Sequence, residues 1–405
     1  MNMMQSEVSE PQSSEIPPSS QGSWLALLTV AITAFALVTS EFLPIGVLND
    51  ISSDLHVSVG TAGLMITLPG IMAAIAAPLL PVLVKNLDRR YLLLALSATM
   101  VFANAITAIA STFEILLLSR FILGFAIGGF WATAIALSGR LAPSHLPIAK
   151  ATATVMAGVT LATVLGVPIG TWLSDAYGWR TSFGITSAIG FVVLLLGIKF
   201  IPSLKPESAI HFKDLPALLR ISKARQGLII ILLIGLAHFS SYSYLTPFFK
   251  NSAGFDSATI SSLLLLFGIA GIFGNAFAGY SGNLNVRYTF AFVAFPLFAI
   301  HPSGAFILTA LWGFAFGAFP TTANIWMFLH APQAVEKGMP LFVGFFQVMI
   351  ATGALIGGYV VDHFNANILL YSVLSFILLA FISIFTLSRG LNNPKAENTA
   401  IQCES

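Results

Sequence analysis

The chain has 405 residues, of which 57% are hydrophobic and only 8% are charged. A soluble protein of this length cannot bury so large an apolar fraction, so the composition indicates an integral membrane protein. The formal net charge of +2 gives no reason to expect a nucleic-acid partner, and the single cysteine, Cys403, excludes a disulfide within the chain.

Both ends of the chain are polar. Residues 1–23 are rich in Ser, Pro and Gln and contain no Lys or Arg. A secretory signal peptide would need a basic start and a small-residue cleavage site, so we expect a disordered cytoplasmic tail here. Residues 390–405 predict a second tail of the same kind.

A helix needs about 20 apolar residues to cross a hydrocarbon layer of about 30 Å. Stretches of this kind recur along the chain and predict an all-α membrane protein with twelve transmembrane helices. The ninth is the weakest, because Pro296 and Pro302 shorten it. The predicted spans are 24–48, 59–84, 91–110, 113–139, 148–173, 181–201, 226–249, 257–281, 287–302, 304–329, 338–361 and 366–388.

The basic residues are unevenly distributed between the polar breaks. With the N-terminus inside, the inner breaks and the C-terminal tail hold 15 of the 18 Lys and Arg residues, and the outer breaks hold only Arg180 and Lys250. Arg120 is the remaining one and lies within a span. Because basic loops stay on the cytoplasmic side, both termini are predicted to be cytoplasmic.

The chain divides into two halves that repeat each other. A basic linker, residues 202–225, separates six spans at 24–201 from six at 226–389, and LGFAIGGF at 123–130 matches WGFAFGAF at 312–319. Further matches in chain order are Gly70 with Gly268, Gly166 with Gly353, Gly170 with Gly357 and Asp175 with Asp362. Such a repeat predicts two pseudo-symmetric six-helix halves around a site near the membrane midplane.

Glu41 and Arg120 are charged residues within otherwise apolar spans. The repeat does not duplicate them, since Tyr244 and Thr309 stand at the equivalent positions. A charge at the bilayer centre costs roughly 3 kcal/mol on insertion scales, which favours a functional role. Spans one and four run in opposite directions and place the two charges at a similar depth, about 10 Å from the outer ends of their spans.

Burial disfavours the charged form of a carboxyl group, whereas a nearby guanidinium favours it. Separating Glu41 from Arg120 would therefore change the proton affinity of Glu41, as proton coupling requires. The alternative is a static ion pair that only fixes packing. His238, near the middle of span seven, is a third candidate for proton coupling because histidine titrates near neutral pH. A purely structural histidine is its alternative.

Polar and aromatic side chains within the spans are candidates for a substrate cavity. Aromatic rings stack on sugars and bases, and amides bind hydroxyl groups or ring nitrogens. Amide bonds between helices and Trp residues at the membrane interface are the alternatives. The cavity candidates are Thr39, Trp131, Tyr242, Tyr244, Asn275, Asn324 and Gln347, with Trp312 and Trp326 as further members.

Small residues four positions apart predict close helix packing, without ligand contacts. Prolines within spans predict bends that allow the halves to move. The residues of this packing and hinge set are Gly124, Gly128, Gly166, Pro168, Gly170, Gly353 and Gly357.

Twelve spans in two halves, together with RRYLL after span two, resemble the major facilitator superfamily over residues 24–390. The family's span-four signature is present as Arg120, Gly124 and Gly128. Its span-five antiporter signature is present in altered form as Gly166, Pro168 and Gly170. This resemblance implies the twelve-span, proton-coupled efflux branch.

The cytoplasmic loop after span two departs further from the family. Asp88, Arg89 and Arg90 stand in this loop, but Pro81 and Lys85 occupy the family's Gly and Asp positions. The departure does not disturb the fold assignment, but it puts the family's usual loop-based gating contact in doubt.

More narrowly, the stretches at 39–48, 120–132 and 237–248 resemble bacterial sugar-efflux and purine-nucleoside-efflux permeases. The resemblance implies a monomer in the bacterial inner membrane that exports a small neutral or weakly polar solute against protons, without metal or cofactor. A multidrug antiporter, a channel and a sensor of the same fold stay open. The sequence has no nucleophile and base at a telling spacing and no phosphate-binding loop, which argues against a membrane enzyme.

Overall fold

The computed structural model describes residues 22–84, 87–205, 215–251, 253–294, 304–364 and 375–384. All regular secondary structure in these ranges is helical, and ten segments are long and apolar enough to cross a membrane. A shorter apolar helix, Ser375–Ile384, follows them. Most of both predicted tails, Cys403, the centre of the linker and large parts of the ninth and twelfth spans lie outside the described residues.

The first half contains eight helices and one π-helical turn. Ser23 begins α1 by accepting a hydrogen bond from the Ala26 N–H at 3.1 Å, as a helix N-cap does. The helices are α1 (Trp24–Asp54), α2 (Val59–Ala62), α3 (Leu64–Leu83), α4 (Arg89–Ile109), α5 (Phe113–Leu141), α6 (Ile148–Leu161), α7 (Val167–Tyr177) and α8 (Trp179–Phe200), with the π-helical turn Ala162–Gly166 between α6 and α7.

The helix α9 (Ala217–Arg220) lies within the predicted linker, and α10 begins in its last residues. The helices of the second half are α10 (Ser222–Tyr242), α11 (Leu245–Asn251), α12 (Ser257–Ala294), α13 (Ala305–His330), α14 (Pro332–His363) and α15 (Ser375–Ile384). The membrane-crossing part of α12, Ser257–Tyr280, ends where span eight was predicted to end, and the helix itself continues through the predicted break at residues 282–286. A helix can extend beyond the apolar segment that crosses the membrane.

The fifth span is irregular where its sequence predicts a hinge. Proline has no backbone N–H, so Pro168 cannot donate to the carbonyl of Val164, four residues earlier. The chain widens into the π-helical turn Ala162–Gly166 directly before this proline. Such turns mark places where a helix is bent or where its hydrogen bonds are rearranged.

The repeated glycines lie at the same helix contacts in both halves. Cβ atoms added at Gly124 and Gly128 would collide with α3, and their counterparts Gly313 and Gly317 would collide with α12. Likewise Gly166 and Gly170 pack on α1, whereas Gly353 and Gly357 pack on α10. Spans four and five of each half thus pack on spans two and one of that same half.

Two further glycines join the halves. A Cβ on Gly70 in α3 would lie 2.9 Å from the Cβ of Ala351 in α14, and a Cβ on Gly268 in α12 would lie 2.6 Å from the Cα of Val164. Glycine allows the helix backbones to approach this closely. Span two of the first half therefore packs on span eleven, and span eight packs on span five.

Polar contacts connect the halves at one end of the bundle. This end consists of residues 49–63, 174–180, 244–260 and 358–364, and the distribution of basic residues predicts that it faces away from the cytoplasm. We call it the outer end. The ammonium of Lys250 lies 3.4 Å from the Asp50 carboxylate across the interface, and Asp50 also accepts from the Ser174 hydroxyl at 2.7 Å.

The loop after span two is fixed to the first half and to the start of the linker. Asp88 accepts hydrogen bonds from the N–H of Arg90 at 2.9 Å, from the N–H of Leu204 at 2.7 Å and from the Ser203 hydroxyl. The Arg89 N–H in turn donates to the Leu204 carbonyl at 2.9 Å. Asp88 thereby begins α4 and holds it to the end of α8.

These contacts make the stability contributed by Asp88 dependent on pH. Burial raises the pKa of the carboxyl group, but the hydrogen bonds from Ser203, Leu204 and Arg90 outweigh it and hold the pKa below the ordinary value of 3.8. The contribution is therefore present above the ordinary Asp range and is lost as the pH falls through the lowered pKa.

We expect Asp88→Ala to destabilise the protein by about 1 kcal/mol at pH 7, the usual cost of removing an N-cap. The difference from the unsubstituted protein should shrink as the pH is lowered toward 3. Thermal unfolding in detergent over this range measures both effects. A difference that stays constant down to pH 3 would contradict the assigned contacts.

Candidate functional site

Glu41 lies near the middle of α1, at the contact between the two halves. Its side chain is 4% exposed, and Gln347 of α14, also 4% exposed, is its polar neighbour from the other half. Oε1 of each of these two side chains has no hydrogen-bond partner. Close by, Phe42 stacks on Phe239 of α10 with ring centroids 6.1 Å apart. A carboxyl group and an amide thus meet between spans one and eleven.

Arg120 of α5 is fully buried, and its guanidinium is hydrogen-bonded to the backbone of α1. Nη1 donates to the carbonyl oxygen of Ser40 at 3.0 Å, and Nη2 donates to the Thr107 hydroxyl at 2.6 Å. The guanidinium carbon lies 4.6 Å from the ring centroid of Phe183, which is a cation–π distance. Nε has no hydrogen-bond partner.

The Ser40 carbonyl is available to Arg120 because of a proline. In a regular helix this carbonyl would accept from the N–H of residue 44, but Pro44 has none. A neighbouring helix must then satisfy the freed acceptor inside a membrane. The Asn104 amide also donates to the Ser40 hydroxyl, so α4 and α5 both hold α1 at this level.

No ion pair joins Glu41 to Arg120, both of which lie in the described part of the chain. The guanidinium contacts the backbone of Ser40, whereas the Glu41 side chain turns toward Gln347. The two charges lie at the same level of the bundle, and α1 links them. Any direct interaction between them would require a different conformation.

His238 lies in an aromatic cluster in the second half. The imidazole is 1% exposed and stacks face to face on Phe316, with centroids 3.5 Å apart and planes inclined by 4°. Tyr242, one turn later on α10, stacks at 5.0 Å on the imidazole and at 4.8 Å on Phe267. The Trp312 ring of α13 packs edge to face against the imidazole and against Phe267.

A hydrogen bond fixes the tautomer of His238. The indole N–H of Trp312 can only donate, and it points at Nδ1 of the imidazole at 3.1 Å. Nδ1 must therefore carry a lone pair, and Nε2 carries the hydrogen. Nε2 has no hydrogen-bond partner, so the imidazole holds a buried N–H donor without an acceptor.

The remaining cavity candidates lie at several places in the bundle. Thr39 packs on Gly166, with its hydroxyl unpartnered. Trp131 contacts Phe130 edge to face within the first half. Asn275 accepts from Thr321 on the adjacent helix.

Two further candidates bond to backbone carbonyls of their own half. Asn324 donates to the Pro320 carbonyl one turn earlier at 2.8 Å. The Trp326 indole donates to the Lys223 carbonyl at 3.1 Å. None of the contacts described for these amides and indoles involves Gln347.

Tyr244 is placed apart from Tyr242. Its ring is 1% exposed at the outer end, and its hydroxyl donates to the Ala354 carbonyl at 2.9 Å. Cβ atoms on Gly63 and Gly358 would lie 1.8 Å and 2.4 Å from this hydroxyl oxygen. Tyr244 therefore fills the space between the halves at the outer end, apart from the aromatic cluster that contains Tyr242.

The residues of the loop after span two contact the first half and the start of the linker, in the bonds described above and in two more. Arg89 donates to the Val84 carbonyl at 2.8 Å, and Arg90 donates to the Ile198 carbonyl at 2.7 Å. Among the described residues, no group of three or more His, Cys, Asp or Glu is arranged to hold a metal ion.

Sequence reasoning missed four polar residues that surround Arg120. Ser40, Asn104, Thr107 and Ser119 are all buried and linked by hydrogen bonds, with Thr107 and Ser119 2.7 Å apart. Each is small or common in membrane helices, so none stood out alone. The signal that could have found them is Pro44, since it predicts a freed carbonyl at Ser40 that a donor must satisfy.

A helical membrane bundle with two similarly packed halves and a buried polar contact between them defines a membrane carrier. The sequence profile of the Major Facilitator Superfamily matches residues 30–333. The chain belongs to the Major Facilitator Superfamily.

Two solved structures share this fold. They show a bacterial homolog of the human lysosomal transporter Spinster, in an inward-facing unoccupied form and an inward-facing occupied form. The unoccupied form is 14% identical with a TM-score of 0.68, and the occupied form is 13% identical with a TM-score of 0.65. Each comparison covers 90% of this chain and 96% of the other.

Family and fold together define what the protein does at a coarse level. It is a multi-pass membrane protein and a secondary transporter, not an enzyme. It moves a small-molecule substrate by alternating access, in which the two halves expose a central site first to one side of the membrane and then to the other.

Proposed function

We propose that the protein is a proton-coupled exporter of a small neutral or weakly polar solute of the sugar or purine nucleoside class. The observation that carries this proposal is Glu41, a buried carboxyl group of one half whose polar neighbour, Gln347, belongs to the other half. The protein would work as a monomer in a bacterial inner membrane with both termini cytoplasmic.

The environment of Glu41 suits a group that changes its protonation state during transport. A buried carboxylate is stable only with a compensating charge or several donors, and Gln347 is neutral while Arg120 is not paired with it. Movement of the two halves would carry the carboxyl group between this dry contact and water. Proton binding and the arrangement of the halves are then linked, which is the requirement for coupled transport.

The unpartnered polar atoms support a neutral substrate. His238 offers an N–H donor at Nε2, and Gln347 offers an acceptor at Oε1, while Tyr242, Phe316 and Trp312 supply aromatic faces. Buried polar groups without partners are costly, and a bound solute can satisfy them. A ring with hydroxyl groups or ring nitrogens matches this set. The export direction rests on the resemblance of the sequence to efflux permeases.

The test is export from cells that overproduce the protein and are preloaded with a labelled pentose or a labelled purine nucleoside. We expect faster loss of one of the two labels than in cells with an empty vector, and an uncoupler should remove the difference. Export of neither solute would overturn the proposed substrate class. Export that persists unchanged with the uncoupler would overturn the proton coupling.

A further inference from the structure

A carboxylate of the second half is hydrogen-bonded to the first half at the outer end. Asp362, in the last turn of α14, accepts from the Ser58 hydroxyl at 2.5 Å and from the Gly60 N–H at 2.8 Å. Ser58 and Gly60 lie at the start of span two, in the first half. The last turn of span eleven is thus bonded to the first turn of span two.

The same contact occurs a second time in the molecule. Asp175, in the last turns of α7, accepts from the Ser257 hydroxyl at 2.7 Å. Ser257 begins α12, which is span eight, so this bond joins the end of span five to the start of span eight. Asp175 and Asp362 are the residues that the internal repeat superimposes at an offset of 187. The pair therefore follows the pseudo-symmetry of the two halves.

The surroundings of the two carboxylates differ. Beside Asp362, the ring of Tyr244 and the backbones of Gly60 and Gly358 fill the interface tightly. Beside Asp175, a small polar pocket opens between the halves, and its lining includes Thr246 and Asp50. The Thr246 hydroxyl is 4% exposed and has no hydrogen-bond partner. Separation of the halves at this end would expose Thr246 to water.

We propose that Asp175 and Asp362 form a symmetric pair of latches that hold the outer end closed. Each latch is made when the outer ends of the halves meet and is broken when they part. Loss of either one therefore shifts the alternating-access equilibrium toward the state that is open to the outside. Asp88 does not act in this way, because its contacts stay within the first half and the start of the linker.

Both latches stabilise the same closed state, so the factors by which their removal raises the ratio of open to closed molecules multiply. Both carboxylates are exposed, so each contact is screened by water, and a change of about fivefold in the open population per latch is a reasonable expectation. The two latches share no partner, so removal of both should give the product of the two factors, about 25-fold.

The experiment is labelling of a reporter cysteine. Cys403 is the only cysteine in the chain, so Cys403→Ser gives a cysteine-free background into which Thr246→Cys is introduced. The rate of reaction with a charged, membrane-impermeant thiol reagent added to intact cells measures opening at the outer end. Asp362→Ala and Asp175→Ala should each raise this rate about fivefold, and the double variant should raise it further.

Asp54→Ala is the matched control. Asp54 is also a carboxylate at the outer end, but its ion pair with Arg180 at 2.5 Å lies within the first half. This variant should label at the parent rate. Asp362→Asn, which keeps an acceptor oxygen, should have a smaller effect than Asp362→Ala, and size-exclusion chromatography identifies any variant that does not fold.

Parent labelling rates in both alanine variants would overturn the proposal, and so would an equal rise in the Asp54 control. A rise seen only in inverted vesicles would also overturn it, since it would place this end in the cytoplasm. The measurement needs no substrate and no proton gradient. Its failure is therefore distinct from a failure of the proposed proton coupling.

Discussion

Glu41→Gln is expected to abolish export driven by a pH gradient while leaving the protein folded in the membrane. Glutamine has nearly the same shape as a protonated glutamate, so packing against Gln347 at the contact between the halves is preserved. It cannot release or take up a proton. The variant would then carry substrate through the membrane without the link to proton movement.

Two assays in proteoliposomes separate these effects. Net export under an imposed pH gradient should fall to background, whereas exchange of labelled for unlabelled substrate at equal pH should stay within about threefold of the unsubstituted protein, a difference below about 1 kcal/mol. Glu114→Gln is the matched control, because Glu114 is an exposed carboxylate at the start of α5. Normal gradient-driven export by Glu41→Gln would exclude Glu41 as the coupling residue.

Much of the fold was predictable because hydrophobic length and repeat spacing report on it directly. The described helices match most of the predicted spans to within a few residues, and the glycines paired by the repeat make equivalent helix contacts. The predicted end of span eight agrees with the apolar segment Ser257–Tyr280, although the helix itself continues to Ala294. Hydropathy reports where a segment leaves the membrane, and a helix can extend beyond that point.

Partners within the site were harder to predict than the site itself. Glu41 and Arg120 were recognisable by their charge in apolar spans, but the direction in which each side chain turns depends on helix rotation. Tyr244 shows the same limit, since it lies in the turn after α10 ends at Tyr242 and packs against Gly63 of the first half. The sequence does not indicate a bond between Asp362 and Ser58, because the two residues lie 304 positions apart in the chain.

The second large effect is expected at Arg120, where stability and transport should respond differently. Arg120→Met removes the donor to the Ser40 carbonyl, and an unsatisfied buried acceptor costs about 1–3 kcal/mol. It also removes a fully buried cation that has no carboxylate partner, and loss of that desolvation cost is favourable. The two effects oppose each other, so thermal stability should change by no more than about 2 kcal/mol.

Transport by Arg120→Met should nevertheless fall at least about tenfold, which is about 1.4 kcal/mol or more. Arg120 donates to the Ser40 carbonyl, which Pro44 leaves without a helical donor and which directly precedes Glu41. Loss of Arg120 therefore releases the part of α1 that carries the proposed proton site. Arg180→Met is the matched control, since Arg180 is a cation at the outer end that stacks on Trp179 and pairs with Asp54. It should transport normally.

Arg120→Lys decides between charge and geometry as the reason for that loss. An ammonium group keeps the charge but lacks the two-pronged arrangement that reaches Ser40 and Thr107 together. If the fixed geometry of α1 matters, the lysine variant should transport almost as poorly as the methionine variant. Full transport by Arg120→Lys would show that the charge alone is sufficient. Severe unfolding of both variants, with normal turnover by the folded fraction, would instead assign Arg120 to packing.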